Sequence, residues 1–456
     1  MHLYKKIALT VIAIISTCLF FGILQVYDQS NLKLIVHFQV KSDVSGEYQL
    51  FYSNDADKPE WKEDNSFKEN YEVVDGWKSI EFHIPNDTMA IRLDTGDKKA
   101  NIQIKRLALK SNKEVFITES SSFVSFNDLK IKSQGNEVNE YVADNGDPYL
   151  IVNIGSYITA SMDGINIITL LFYIILSLLL GGITTYSARY SKETIFYIRE
   201  VFKNRKWILN LARNDFKTKY ASSYLGVIWG FIHPLLTIAT YWFVFQVGLR
   251  SGDVAEVPFI LWFIAGIIPW FFFSDAFSGA TNVLSEYSYL VKKVVFKIEL
   301  LPSVKIVSAL FVQLFFIGFI FVVYSFYGYY PDLYNLQLFY YIVCLVFLLF
   351  SLTILTSAVV LFFKDLNQII AIILQMGFWF TPIGWSTSML SDFWAFIFKL
   401  NPMYYIVQGY RDSFIDKVLF YEHPYQTLYF WVLCLFILTA GIVIFKKLKP
   451  HFSDVL

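Results

Sequence analysis

Disulfide chemistry is the first thing this 456-residue sequence does not support. It has three cysteines, Cys18, Cys344 and Cys434, each embedded in a long apolar run. They are too few and too scattered for a disulfide framework or a zinc site. They read instead as small buried apolar residues. Nucleotide hydrolysis through a phosphate loop is excluded next, because no G-x-x-x-x-G-K-[ST] string occurs. There is no H-E-x-x-H, and the six histidines do not cluster, so no metal site is expected. Formal net charge is zero and only 17% of residues are charged, and nucleic acid is not an expected partner. Two short strings look like chemistry and are better read as loops. Asp94-Thr95-Gly96 matches the core of an aspartic protease but has no second copy, and it reads as a tight turn after a strand. Asp55 and Asp57 form a D-x-D in a polar loop.

What is abundant is apolar and aromatic surface, at 55% and 19% of residues. Apolar runs of about 20 residues have the length of a bilayer-crossing helix. Eight are read, near 7–27, 164–187, 223–248, 258–287, 301–326, 337–362, 367–385 and 427–445. The first lacks a small-x-small cleavage site before Tyr27 and reads as an uncleaved anchor. Lys5 and Lys6, the stretch Arg189 to Lys219, Lys292, Lys293 and Lys297, Lys364, and Lys446, Lys447 and Lys449 alternate with loops poor in basic residues. The positive-inside rule then places both termini in the cytoplasm.

Residues 28–163 differ in kind: acidic residues outnumber basic ones by eight. LKLIVHFQV, SIEFHIP and MAIRLD alternate apolar with polar positions between turn-rich gaps, which predicts antiparallel strands and a sandwich-like domain outside the cytoplasm. The expected fold is therefore an α-helical polytopic membrane protein of about eight crossings with an inserted all-β sandwich. Its divisions are an anchor (1–27), the external sandwich (28–163), a second crossing (164–187), a cytoplasmic linker with an amphipathic helix (188–222), and a six-helix body (223–456).

Several features of that body point toward a pathway. Between Arg205 and Tyr220, Ile208, Leu211, Ala212, Phe216 and Tyr220 recur at helical spacing, with Arg213, Asn214, Lys217 and Lys219 assigned to the opposite face. Such a helix lies in the interface, as an anchor or as a gate. Gly226 and Gly230 form a small-xxx-small pair, and Pro234 falls inside the following crossing. Asp275 is a carboxylate in an apolar run, which demands a partner or a wet cavity. Trp270, Phe273, Phe378 and Trp379 read either as interfacial belt or as a surface on which sugars slide.

Ordered motifs then carry a resemblance over a little more than half of the chain. They are Arg213-x-Asp215-x-Lys217-x-Lys219-Tyr220, Ser223-x-Leu225-Gly226-x-x-Trp229 with Pro234, and LVKKVVFKIELLP (290–302). Lys364-Asp365, Thr381-Pro382-Ile383, and Asn401-Pro402-Met403 leading to Tyr410-Arg411 complete the series. From about residue 205 the chain resembles the permease of a type-2 ABC exporter, in the branch handling O-antigen, capsule and teichoic acid polymers. It departs from the family pattern in having Lys297 where proline usually follows the loop phenylalanine, and in the two crossings and sandwich that precede the body.

The resemblance implies a homodimer in the bacterial plasma membrane, working with two copies of a separately encoded ATPase that binds ATP and Mg. It implies export of a glycan carried on undecaprenyl diphosphate. Lys292, Lys293, Phe296 and Glu299 would form the loop received by the ATPase. Arg213, Lys217 and Lys219 would meet the lipid diphosphate at a cytoplasmic gate, since guanidinium and ammonium groups suit phosphate oxygens. Trp270, Phe273, Asp275, Phe378 and Trp379 would line the channel, and Asn401 to Arg411 would belong to short re-entrant helices. The sandwich aromatics Tyr48, Tyr52, Trp61 and Trp77 read as core, with Trp61 and Trp77 the candidates for glycan contact if they are not. Rival readings are a drug- or lipid-exporting permease, a membrane glycosyltransferase, and a glycan sensor.

Overall fold

The computed structural model describes residues 2–31, 34–56, 58–111, 113–117, 123–134, 138–144, 146–162, 167–219, 221, 224–248, 257–291 and 297–455. They divide into two compact units, one of residues 1–18 with 178–456 and one of 19–177. Both boundaries fall inside helices, α1 (His2–Asn31) and α3 (Ile167–Arg189).

Among the described residues the second unit is built on eleven strands. These are β1 (Leu34–Ser42), β2 (Gly46–Ser53), β3 (Ser66–Tyr71), β4 (Lys78–Ile84), β5 (Ala90–Asp94) and β6 (Ala100–Lys110), then β7 (Glu114–Phe116), β8 (Phe123–Asn127), β9 (Leu129–Gln134), β10 (Val138–Ala143) and β11 (Tyr149–Asn153). A short helix α2 (Gly155–Met162) follows them. They pair antiparallel in two sheets, ordered β4-β1-β6-β10-β9 and β3-β2-β5-β11-β8, with β7 on the far end of β6. Arg106, with φ 56°, stands where β10 stops pairing with β6 and β7 begins, and β1 shifts register opposite it between His37 and Gln39. That is a β-bulge, which lets one long strand serve two neighbours.

The alternation seen in the sequence faces inward. Leu34, Val36, Phe38 and Val40 of β1 are all fully buried, against Tyr48, Leu50, Leu93, Leu150 and Val152. Each such aliphatic or aromatic side chain contributes about 1.5–3 kcal/mol by leaving water. Asp94-Thr95-Gly96 is the turn expected: Gly96 takes φ 91°, and the Thr95 hydroxyl donates to the Pro148 carbonyl. Asp55 lies in a loop, and Asp57 lies outside the described residues.

The first unit continues with α4 (Ser191–Lys203), α5 (Arg205–Lys219), α6 (Trp229–Trp242, extended by a π-helical turn to Gly248), α7 (Phe259–Glu286) and α8 (Ser288–Val291). After these come α9 (Leu301–Phe326), α10 (Gln337–Phe362), α11 (Leu366–Phe380), α12 (Asp392–Lys399), α13 (Pro402–Arg411), α14 (Pro424–Leu448) and α15 (Phe452–Val455). Among the described residues seven spans are long and apolar enough to cross a membrane: Lys6–Val26, Thr169–Arg189, Gly226–Gly248, Phe259–Glu286, Ile298–Phe326, Leu333–Phe362 and Pro424–Val455. The eighth expected crossing, 367–385, is the shorter helix α11. Thr381, preceding Pro382, is forced to extended backbone (φ −91°, ψ 126°) and ends it.

Helix α7 is the centre of this unit. It is apolar on nearly every face, as a helix surrounded by others must be, and packs against α9, α10, α11 and α13. One sequence reading is corrected here. Gly226 does not serve close helix packing within the chain: its φ is 55°, it precedes the helix, and nothing lies within 4 Å of where a Cβ would stand. Its glycine is required by the left-handed backbone.

Candidate functional site

Helix α5 begins after Asn204, whose side-chain amide folds back onto the Glu200 carbonyl at 2.7 Å and separates it from α4. Ile208 and Ala212 are buried against Val304 of α9, with Leu211 beside them, while Lys217 and Lys219 fall in the last turn, where cations suit the helix dipole. Past this apolar seam, α5, α7 and α9 line a half-open cavity of about 690 Å³. Each helix lines it at helical spacing: Leu211, Asn214, Asp215, Thr218 and Lys219 from α5; Asp275, Ser278, Gly279 and Glu286 from α7; Lys305, Ser308 and Ala309 from α9.

The charged groups of the cavity are paired. The Lys219 ammonium donates to both carboxylate oxygens of Asp275, at 2.7 and 2.8 Å. Asp215 is 5% exposed. Its Oδ1 accepts the Tyr287 hydroxyl at 2.9 Å and lies 2.8 Å from the Lys305 Nζ. Lys305 in turn meets Glu286 at 2.5 Å. Burial, and then the adjacent Asp215 carboxylate, push the Tyr287 phenol well above its ordinary pKa, so it remains the donor. Three carboxylates thus face two ammonium groups in the cavity wall.

This geometry divides the cationic face expected from the sequence. At about 100° per residue, Arg213 and Lys217 stand roughly 160° around α5 from Asp215, whereas Lys219 stands only about 40° from it. Arg213 and Lys217 are accordingly exposed outside the cavity, and Lys219 lines it. Asp275 is the partner of Lys219, and both are partly open to solvent. Asp215 was read from the sequence only as part of the 213–220 motif, with no role of its own, and Lys305, Glu286 and Tyr287 were not singled out. Two signals were there: Asp215 continues the apolar spacing of Ile208 and Ala212, and Lys305 is the one charge within the run 301–326.

The aromatic candidates gather elsewhere along α7. Trp270 and Phe273 are core side chains within one chain, 5.5 Å apart by ring centroids, and Phe378 meets Trp270 edge-on. Gly377 leaves room for the Trp270 ring, since a Cβ there would come within 2.9 Å of it. Trp379 is exposed. Trp61 is half-buried in a loop, and Trp77 is exposed with the Lys105 ammonium 5.8 Å from its ring, so the core reading fits Tyr48 but not Trp77.

Tyr220, Ser223, Lys292, Lys293 and Phe296 lie outside the described residues. The far flank of that loop is described. Lys297 pairs with Glu200 of α4, and Glu299 accepts from Lys449 at 2.8 Å. The later motifs meet each other. Asn401 donates to the Thr381 hydroxyl at 2.9 Å, and Arg411, 3% exposed, stacks 3.4 Å above the Trp262 ring and donates to the Ile383 carbonyl at 3.0 Å. Gln313 donates to the Tyr410 hydroxyl at 2.9 Å.

A profile described as the ABC-2 type transporter matches residues 206–415. Two proteins of Klebsiella pneumoniae, each named O-antigen export system permease protein RfbA, are 30% identical over 253 residues and 31% over 257. Each alignment spans 54% of this chain and 93% of the relative. A Myxococcus xanthus protein of the same name is 28% identical over 261 residues, spanning 56% of this chain and 98% of its own.

Proposed function

The chain belongs to the ABC-2 type transporter family, and from that premise we propose that it is the membrane permease of an ATP-driven exporter for an O-antigen-type glycan linked to undecaprenyl diphosphate. The chain would act as a homodimer in the bacterial plasma membrane, with both termini cytoplasmic and residues 28–163 outside. Two copies of a separate ATPase would supply hydrolysis, consistent with a sequence that has no phosphate loop. ATP and Mg belong to that partner.

The observation that carries the reading is the Lys219–Asp275 pair in the wall of the cavity between α5 and α7. The pair is solvent-accessible, and exposed ion pairs contribute only about 0.2–1 kcal/mol. A diphosphate, with more charge and more acceptor oxygens than one carboxylate, competes effectively for that ammonium. Arg213 and Lys217, on the outer face of α5, would hold lipid phosphates at the approach. The names of the relatives supply the glycan class, and the extra sandwich leaves the body that matches them intact.

The test is export of the lipid-linked glycan by the triple variant Arg213→Gln, Lys217→Gln, Lys219→Gln. We expect loss of about tenfold or more, the scale of one or two charge-assisted contacts, with the complex still assembled. Wild-type export would remove these residues from the substrate path. Separately, Lys292→Glu with Lys293→Glu should reduce co-purification of the ATPase; undiminished co-purification would reject the docking role of that loop.

A further inference from the structure

Among the described residues, two polar points of different character fasten helix α5 to its neighbours. One is the Lys219–Asp275 pair, whose side chains are 40% and 44% exposed. The other is Asp215, whose side chain is 6% exposed and whose partner Lys305 is 16% exposed. Water and salt weaken the first much more than the second. The partners of Asp215 are also special in their positions. Tyr287 is the residue on which α7 ends, and Lys305 lies in the first turns of α9. Between them runs the segment 288–300, which holds the loop expected to meet the ATPase. A single oxygen, Oδ1, therefore binds a group on each side of that segment.

We propose that Asp215 is a positioning residue that makes α5 follow displacements of the 288–300 segment, so that movement imposed on the loop is delivered to the gate. The proposal rests on the reading of this chain as an ATP-driven permease. A shift of either α7's end or α9's start moves a hydrogen-bonding partner of the same buried carboxylate. The C-terminal part of α5 is then carried with it, while the exposed Lys219 exchanges partners. Among the described residues of the segment, Lys297 ties to Glu200 on α4 and Glu299 to Lys449 after α14.

The cluster is built so that this role is separable from folding. Asp215→Asn does not strand the Lys305 charge, because Glu286 remains 2.5 Å away. Tyr287→Phe deletes one hydrogen bond and keeps the ring.

The experiment uses inverted vesicles of the native host, whose own lipid-linked glycan is the probe, carrying the permease with its ATPase. Glycan delivered per ATP hydrolysed is compared for wild type, Asp215→Asn, Asp215→Glu and Tyr287→Phe. We expect Asp215→Asn to keep the ATPase bound and hydrolysing while the ratio falls about tenfold, and Tyr287→Phe to lower it about threefold, in keeping with a charged and a neutral hydrogen-bond loss. Asp215→Glu should recover part of the ratio. A ratio unchanged in both Asp215→Asn and Tyr287→Phe would overturn the proposal, as would hydrolysis and delivery falling in parallel. Absence of ATP-driven delivery in the wild type would instead overturn the permease reading, and this inference with it.

Discussion

Lys305 is the one charged side chain of α9, and it balances two carboxylates, Asp215 and Glu286. Removing it leaves the buried Asp215 carboxylate without its cation, while Glu286 stays open to water. Breaking a buried pair from one side costs about 3–5 kcal/mol. Lys305→Met should therefore lower the melting temperature of the detergent-solubilised protein far more than Asp215→Asn does; equal shifts would mean that the site is wetter than its burial indicates. A second residue-scale prediction concerns His423, whose Nε2 lies 3.3 Å from the buried Asp412 carboxylate. The hydrogen bond to Asp412, outweighing partial burial, raises the His423 pKa above its ordinary value. A raised folded-state pKa means that the stabilisation is complete below the unfolded value of about 6.5 and disappears as pH climbs through the folded one. Melting temperature followed from acid to alkaline conditions should show this decline in the wild type and a flatter profile in His423→Gln.

Among the elements, α13 shows how closely two helices are fitted. A Cβ added to Gly409 would lie 2.0 Å from the Tyr341 ring of α10, and that ring is fully buried. The ring has nowhere to go, so Gly409→Ala should cost more than the 1–3 kcal/mol or so typical of overpacking. Loss of folded protein on size-exclusion, relieved by adding Tyr341→Leu, is the expected outcome. Helix α11 carries a different lesson. Its 15 residues, at about 1.5 Å each, reach roughly 22 Å, short of the ~30 Å hydrocarbon core. The turn that follows it is tied to both ends of α13, since Asn401 bonds the Thr381 hydroxyl and Arg411 bonds the Ile383 carbonyl.

The whole chain joins two units that obey different rules of stability. The strand-rich unit holds together without cysteine, so residues 28–163 produced alone should give a cooperative melt unchanged by reductant; a non-cooperative trace would show that its core depends on the rest of the chain. Both units were legible in the sequence because their signals are periodic: alternation put Val36 and Phe38 inside, and apolar length marked α7, α9, α10 and α14. The layout of the cavity was legible only in part. Asp275 announced itself as a carboxylate among phenylalanines, but which lysine answers it depends on how α5 lies against α7, a relation between segments 56 residues apart. Lys219 was grouped with Arg213 and Lys217 because adjacent cations look like one patch, until the helix turns them to opposite sides. Arg411, finally, gives the molecule an order of assembly. A charge as deeply buried as that of Arg411 is costly unless it is paired or hydrogen-bonded. The ring that receives this one, Trp262, and the carbonyl of Ile383 belong to segments synthesised before it. The ribosome delivers the receptor first and the cation afterwards, so a chain halted before Asn401 bears a vacant receptor and no unhoused charge.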